Sequence, residues 1–410
     1  MNQIAEAAAG RSGIAAGGAL RFVVLLGIVS LFADMTYEGA RSVTGPYLAL
    51  LGATGTAVGI VAGGGELLGY ALRLWSGWLA DRTHRYWAIT ISGYAVNLLA
   101  VPLLALAGDW IAAAVLMVLE RAGKAIRTPA RDVMLSYATK QTGRGWGYGL
   151  HEALDQTGAT LGPLIVSGVL LLRGDYRIGF AVLLAPALAS LAVLLAARWQ
   201  YPHPQQLEPA GEPLSTRGLP RAYWIYLAGT CLIAAGYADY PLMAFHFERA
   251  GTVPKEWIPV LYAVAMAVDG LAALAFGRWF DRRGIAVLVA ATFLSVLFAP
   301  LAFLGAFQLA FVGAALWGVG MGAQESIMRA AVAEMTPHEH RGTAFGLFNM
   351  AFGVAWFAGS ALMGWLYDIS VPALVVFSVF VQLAAIPFFF LSARRLNRRP
   401  RGETPMTDLE

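Results

Sequence analysis

The chain has 410 residues, 58% of them hydrophobic and only 13% charged, with a formal charge of +4 and a mean hydropathy of +0.61. A soluble domain carries about 25% charge, so the chain lacks the polar surface to coat a water-exposed globule. The strand-like alternating segments of ~10 residues that mark an outer-membrane barrel are absent, which leaves a polytopic helical membrane protein.

Taken in order, residues 1–19 lack the basic-then-apolar pattern of a cleaved leader and are expected as a retained cytoplasmic segment. The first apolar span, 20–51, carries Asp34, Glu38 and Arg41 at i, i+4 and i+7, one helical face. The second, 55–79, contains "AGGGELLG", whose glycines permit close helix crossings, with Glu66 and Arg73 seven apart. The third covers 86–107. The fourth, 109–136, ends on "ERAGKAIRTPARD", where Glu120, Lys124, Arg127 and Arg131 form one stripe and Arg121 and Asp132 flank it. The fifth, 146–171, has His151 and Asp155 at i, i+4 with Glu152 beside them, and the sixth covers 177–197.

"QYPHPQQLEPAGEPLSTRGLPR", rich in Pro and Gln, then interrupts the apolar pattern as a linker over 199–221. The later spans are expected at 222–247, 257–279, 285–305, 308–335, 342–366 and 371–393, making twelve in all. They are sparer in charge: Asp239 in the seventh, Asp269 in the eighth, Glu325 and Arg329 in the tenth. The single cysteine, Cys231, allows no internal disulfide, and 394–410 is a basic tail. Lys and Arg concentrate in the N-terminal segment, the linker, the even-to-odd loops and the tail, against only Arg173, Arg177, Arg249 and Lys255 on the other side. That bias predicts both termini in the cytoplasm.

The two halves repeat one another. "GWLADRTHR" (77–85) returns as "GRWFDRRG" (277–284), and "RGWGYGL" (144–150) returns as "RGTAFGL" (341–347). Parallel six-helix repeats place a substrate site near the midplane, between the halves.

These residues resemble the major facilitator superfamily of transporters. Gly77, Asp81, Arg82 and Arg85 are similar to its signature between the second and third helices, and Gly277, Asp281 and Arg282 look like the degenerate second copy. "GATLGPLIVSG", with Gly158, Gly162 and Pro163, resembles the fifth-helix motif of the superfamily's proton-coupled exporters, although the second glycine pair after the proline is missing. The resemblance implies an all-α membrane protein of twelve transmembrane helices in two pseudo-symmetric six-helix bundles, 20–198 and 222–393. It also implies that spans 1, 4, 7 and 10 line the central cavity.

An ionised group at the bilayer centre costs about 2.5–3.5 kcal/mol even on a lenient scale, so the intramembrane charges are expected to face a wet cavity or one another. Asp34, Glu38, Asp155 and Glu325 are the proton-carrying candidates, because a carboxyl in a cavity can bind and release a proton as its surroundings change. Arg41, Arg121, Lys124, Arg127, His151, Asp239 and Arg329 are the substrate-binding candidates, the cations offering fixed charge and hydrogen bonds to an anionic group. The competing structural expectation pairs Glu120 with Lys124, Glu66 with Arg73 and Glu325 with Arg329. Asp81, supported by Arg82, Arg85, Arg131 and Asp132, is expected to latch the halves against the dipole at the start of the eleventh helix, with Asp281 as its mirror.

The reading is a proton-coupled, alternating-access secondary transporter in a bacterial cytoplasmic membrane, expected as a monomer, most directly exporting a small acidic or amphipathic molecule. Import of an organic anion and export of a divalent metal are the alternatives. Its partners are that substrate, protons and lipid; no cofactor, metal, nucleic-acid or enzymatic motif is read.

Overall fold

A computed structural model describes residues 2–142, 144–203, 219–335 and 341–397. The side chains of residues 2–17, 136, 139–149, 333–334, 341–343 and 396–397, and those of Asp81, Asp281, Glu325 and Arg329, lie outside that description. Among the described residues every regular element is helical.

Twelve spans follow in order. The first five are α1 (Asn2–Leu50), α2 (Gly55–Thr83), α3 (Tyr86–Leu103) with a 3-10 turn at Leu104–Leu106, α4 (Trp110–Thr142) and α5 (Arg144–Arg173). The sixth is α6 (Tyr176–Val182) with α7 (Leu184–Gln200), and the seventh is α8 (Arg221–Gly236) with α9 (Tyr240–Ala250). The eighth is α10 (Ile258–Arg283), and the ninth is α11 (Val287–Ser295) with α12 (Phe298–Leu304). The tenth is α13 (Phe307–Ala323), a π turn at Gln324–Met328, and α14 (Arg329–Met335). The last two are α15 (Arg341–Ile369), and α16 (Val371–Ala384) with α17 (Ile386–Asn397). Helix α1 is continuous from Asn2, so the segment expected as a separate N-terminal stretch is helical from its second residue.

Nine stretches among the described residues are long and apolar enough to cross a bilayer by length and composition. The fourth, seventh and tenth spans are not among them, because α4 carries the basic stripe, the seventh breaks between Gly236 and Tyr240, and the tenth passes through the π turn. Broken backbone inside a membrane needs protein partners for its polar groups. The break in the seventh span has them. The Gly236 carbonyl accepts from Ser378 Oγ at 2.6 Å and Gln382 Nε2 at 3.1 Å, and the Ala238 carbonyl accepts from Trp317 Nε1 at 2.9 Å.

Glycine sets the close crossings. On α5, a Cβ at Gly158 or Gly162 would collide with the backbone of Leu31 or Met35, so the helix-5 motif lets α5 lie directly on α1. Gly318 on α13 meets the Ala265 backbone of α10 in the same way.

The two halves touch along one face of the bundle, the distal face, which carries the linkers at 51–54, 174–175, 251–257 and 370. There Gly45 abuts Pro241 and Phe245, and Gly59 and Gly63 abut Ser360 and Phe357. The Asp368 carboxylate accepts from Gly55 N at 2.8 Å, Thr56 N at 2.7 Å and Thr56 Oγ1 at 2.6 Å, so the end of α15 caps the start of α2 across the halves. Ser167 Oγ donates to the Glu256 carbonyl at 2.7 Å and Lys255 Nζ to the Gly174 carbonyl at 2.8 Å. Toward the opposite, terminal face, Gly277 and Gly346 have open space where a Cβ would point.

Candidate functional site

Below the distal seal the sequence places its charged faces at the contact between halves, and the structure turns them inward. Arg41, on the α1 stripe, is the hub. Its Nη2 lies 3.3 Å from Asp239 Oδ1 and 3.5 Å from Glu66 Oε1, and its Nη1 lies 4.0 Å from Glu38 Oε1. Asp239 belongs to the other half, at the break in the seventh span, where its second oxygen accepts from Trp356 Nε1 at 2.8 Å and Ser360 Oγ at 3.2 Å. A second bridge crosses the halves beside it, the Tyr262 hydroxyl of α10 donating to Glu38 Oε2.

The basic face of α4 meets this hub. Arg121 Nη1 lies 3.1 Å from Glu66 and its Nε 3.5 Å from Glu120, which also accepts from Asn97 Nδ2 at 2.8 Å. Lys124 Nζ lies 3.7 Å from Glu38 Oε1 and 3.9 Å above the centre of the Tyr37 ring. The pairings expected from spacing along one helix are therefore not the ones formed. Glu120 pairs with Arg121 instead of Lys124, and Glu66 with Arg41 and Arg121 instead of Arg73. Arg41 and Arg121 reach Glu66 from neighbouring helices, while Glu120 pairs with its own chain neighbour. Glu325 and Arg329 lie outside the described side chains.

Two cavities flank the hub, and Arg41 and Arg121 line both. One sits under the distal seal between Tyr37, Thr44, Glu120 and Pro241. The other lies toward the terminal face and is the roomier and the more polar. Glu66, Tyr70, Arg73 and Lys124 line it from the first half, and Gln324, Asn349, Phe352 and Trp356 from the second. In that wall the Arg73 guanidinium stacks 5.5 Å from the Tyr70 ring centre, and its buried Nε meets no hydrogen-bond acceptor among the described residues. Arg127 is 1% exposed and is held by the rings of Tyr94, at 4.1 Å, and Tyr37, at 5.8 Å, with no carboxylate within 4.0 Å among the described residues.

Behind the cavity wall, two of the proton-carrying candidates come together. The Asp34 carboxyl of α1 and the Asp155 carboxyl of α5 lie close enough to act on each other electrostatically, and Asp34 is 3% exposed. The seating of Gly158 and Gly162 on α1 brings these acids within reach. One turn nearer the terminal face, His151 Nε2 lies 3.1 Å from Ser30 Oγ, which accepts from Arg131 Nη1 at 3.1 Å. Arg131 also donates to Asp132 Oδ1 from Nε at 3.0 Å and Nη2 at 2.8 Å. Arg131 and Asp132, expected to brace Asp81, are thus engaged with each other and with α1. Arg82 stacks 5.2 Å from the Trp78 ring and Arg85 is exposed. The side chains of Asp81 and Asp281 lie outside the description.

Tyr262, Ser30, Gln324 and Asn349 were not selected by sequence reasoning. Neutral polar residues in a helix give no periodic signal, and only their place opposite charged partners marks them. Among the described residues no cluster of three or more His, Cys, Asp or Glu side chains is arranged to hold a metal ion.

The sequence profile described as the Major Facilitator Superfamily matches residues 25–305 and 241–408. An uncharacterised protein of Mycobacterium tuberculosis is 44% identical over 388 residues, covering 93% of this chain and 94% of that one. An uncharacterised MFS-type transporter of Methanocaldococcus jannaschii is 22% identical over 359 residues, covering 85% and 89%. The crystal structure of a bacterial homologue of the human lysosomal transporter Spinster, inward-facing and unoccupied, aligns with a TM-score of 0.71. It is 14% identical, with 94% of this chain and 99% of that one covered.

Proposed function

This chain belongs to the Major Facilitator Superfamily and is a membrane transporter, not an enzyme; from that premise we propose that it carries a small acidic or amphipathic organic molecule by alternating access, coupled to protons. The observation that carries the proposal is a charged cavity that both halves wall, with two carboxyls of the first half, buried Asp34 on α1 and half-buried Asp155 on α5, set behind it. Substrate would sit between Tyr70, Arg73, Asn349 and Phe352, with Arg41 and Arg121 at its floor. Glu38, bonded to Lys124 on one side and Tyr262 on the other, ties the acid pair's surroundings to the contact between halves. Gly77, Asp81, Arg82 and Arg85, with Gly277, Asp281 and Arg282, would latch the terminal face when the distal face opens.

The helix-5 glycines favour exchange of substrate for protons, hence export. A second reading, proton and anion moving together, is favoured by Arg73 and Arg127, cations without a carboxylate in ion-pair range among the described residues. A thermal-shift screen of organic anions, lipophilic cations and divalent metals identifies the class. An anion that binds should lose affinity roughly 10–100-fold in Arg73→Gln, the worth of a charge-assisted hydrogen bond of about 1.5–3 kcal/mol. A bound cation or metal that keeps its affinity in that variant would reject the acidic-substrate reading.

In proteoliposomes under an imposed pH gradient, Asp34→Asn or Asp155→Asn should abolish net accumulation while exchange without a gradient persists. Full coupling in both variants would reject the acid pair as the proton carrier. The sign of the response, accumulation toward or against the acidic side, separates exchange from cotransport.

A further inference from the structure

The polar cavity has two unlike walls. Among the described residues, every charged side chain that lines it comes from the first half: Arg41, Arg73, Arg121 and Lys124, with Glu66 as their carboxylate. Arg41 and Arg121 both pair with Glu66, and Lys124 pairs with Glu38. Arg73 is the lining cation with no carboxylate in ion-pair range among the described residues. The second half presents a neutral wall, the stripe Phe348, Asn349, Phe352 and Trp356 on α15, closed by Gln324 and two methionines of the tenth span.

The three rings of that stripe, at i, i+4 and i+8, form a ladder. Phe348 and Phe352 are stacked, 5.6 Å between centres and 27° between planes, and Phe352 and Trp356 lie 5.7 Å apart. Trp356 Nε1 donates to Asp239 at 2.8 Å, which fixes that end of the ladder beside the Arg41 hub. On its flank, Tyr70 of the first half occupies the notch left by Gly353, where a Cβ would collide with the Tyr70 ring. Tyr70 meets Phe352 edge to face at 6.5 Å, and the Arg73 guanidinium lies 5.5 Å from the centre of the same Tyr70 ring. The cation that lacks a carboxylate and the ladder therefore share one neighbour.

We infer that the substrate is a planar aromatic carboxylic acid, bound with its carboxylate toward Arg73 and its ring on the Phe348–Phe352–Trp356 ladder. The inference rests on the acidic-substrate reading of this cavity and narrows it. A guanidinium offers a carboxylate both charge and a fork of N–H donors, and the Nε of Arg73 meets no acceptor among the described residues. Aromatic rings favour offset or edge-to-face neighbours about 4.5–7 Å away between centres, and such pairs add to the gain from buried area. A saturated ring of the same size fills the same space and gains the area alone. An organic cation could also face these rings, but it would meet four cationic side chains on the opposite wall.

The test measures binding to the full chain in lipid nanodiscs by calorimetry. Benzoate is compared with cyclohexanecarboxylate, equal in charge at neutral pH and close in size, and with benzyltrimethylammonium as the cationic counterpart. In the unaltered protein benzoate should bind about 3–10-fold more tightly than cyclohexanecarboxylate. Phe352→Leu should remove that preference by weakening benzoate while cyclohexanecarboxylate stays within about twofold, and Phe348→Leu, one rung away, should act in the same direction. Arg73→Gln should weaken both acids alike. Equal binding of the two acids to the unaltered protein, a comparison that needs no variant to fold, overturns the aromatic inference and leaves the acidic-substrate reading standing. A preference for benzoate that persists in both leucine variants also overturns it, because the ring then lies elsewhere. Failure of both acids to bind, with or without binding of the benzyl cation, overturns the acidic reading and this inference together.

Discussion

Arg41 shows what one side chain contributes. It faces three carboxylates from three spans, its own among them and one in the opposite half. Removing it leaves Glu38, Glu66 and Asp239 without their shared cation. Breaking a buried ion pair from one side costs about 3–5 kcal/mol. Arg41→Ala is therefore expected to lower unfolding stability by about that amount, measured by denaturant titration in detergent. Arg41→Ala/Asp239→Asn should recover part of the loss, since the neutral amide needs no cation and its oxygen can still accept from Trp356; a double variant as unstable as the single would show that the two are not coupled. The faces of these residues were legible from spacing, because 3.6-residue periodicity fixes the direction of each side chain about its own axis. Their partners were not. Lys124 pairs with Glu38, 86 positions away in the chain, and no local pattern announces that contact.

At the scale of the element, glycine and helix ends decide where the halves meet. Gly59 and Gly364 let α2 and α15 approach until backbone touches backbone, and Asp368 then reaches the free N–H groups at the start of α2. A carboxylate at a helix N-terminus gains from both hydrogen bonds and the dipole. Asp368→Ala should shift the equilibrium by about 1–3 kcal/mol toward a form open at the distal face. Spin labels on linkers 107–109 and 251–257, one in each half, would read this as a longer distance; an unchanged distribution would show that Asp368 does not hold the seal. The sequence marked the helix-5 glycines by their resemblance, and the structure gives their mechanical use, seating α5 directly on the backbone of α1 at Leu31 and Met35. Asp239 was legible as a charge in an apolar span. Its position at a helix break was signalled by Gly236 before it and Pro241 after it, which the continuous span expected at 222–247 passed over.

For the whole molecule, the distal seal and the cavity beneath it define a single conformation, closed on one face with its polar space toward the other. Met328 lines that space, on the π turn of the tenth span. With Cys231 first replaced by Ala, Met328→Cys should react with a membrane-impermeant maleimide added from the terminal side and resist the same reagent from the distal side. Equal labelling from both sides would contradict a sealed distal face. The density of Lys and Arg in the linker and tail predicts that the terminal side is cytoplasmic, and right-side-out and inverted vesicles labelled in parallel check that orientation.

Composition and periodicity marked the chain as a polytopic helical membrane protein of about twelve spans, and the recurring motifs, with the resemblance they carry, divided it into two halves. The reason is energetic: lipid admits only long apolar helices and forces their charges onto inward faces. Only the tertiary structure decided which charges meet. It set Arg41 against Asp239 across the halves, Asp34 against Asp155 behind the cavity, and Arg131 against Ser30 instead of the latch. A helix's own sequence sets its angular pattern, but the identity of the neighbour facing that pattern depends on how the other eleven pack around it.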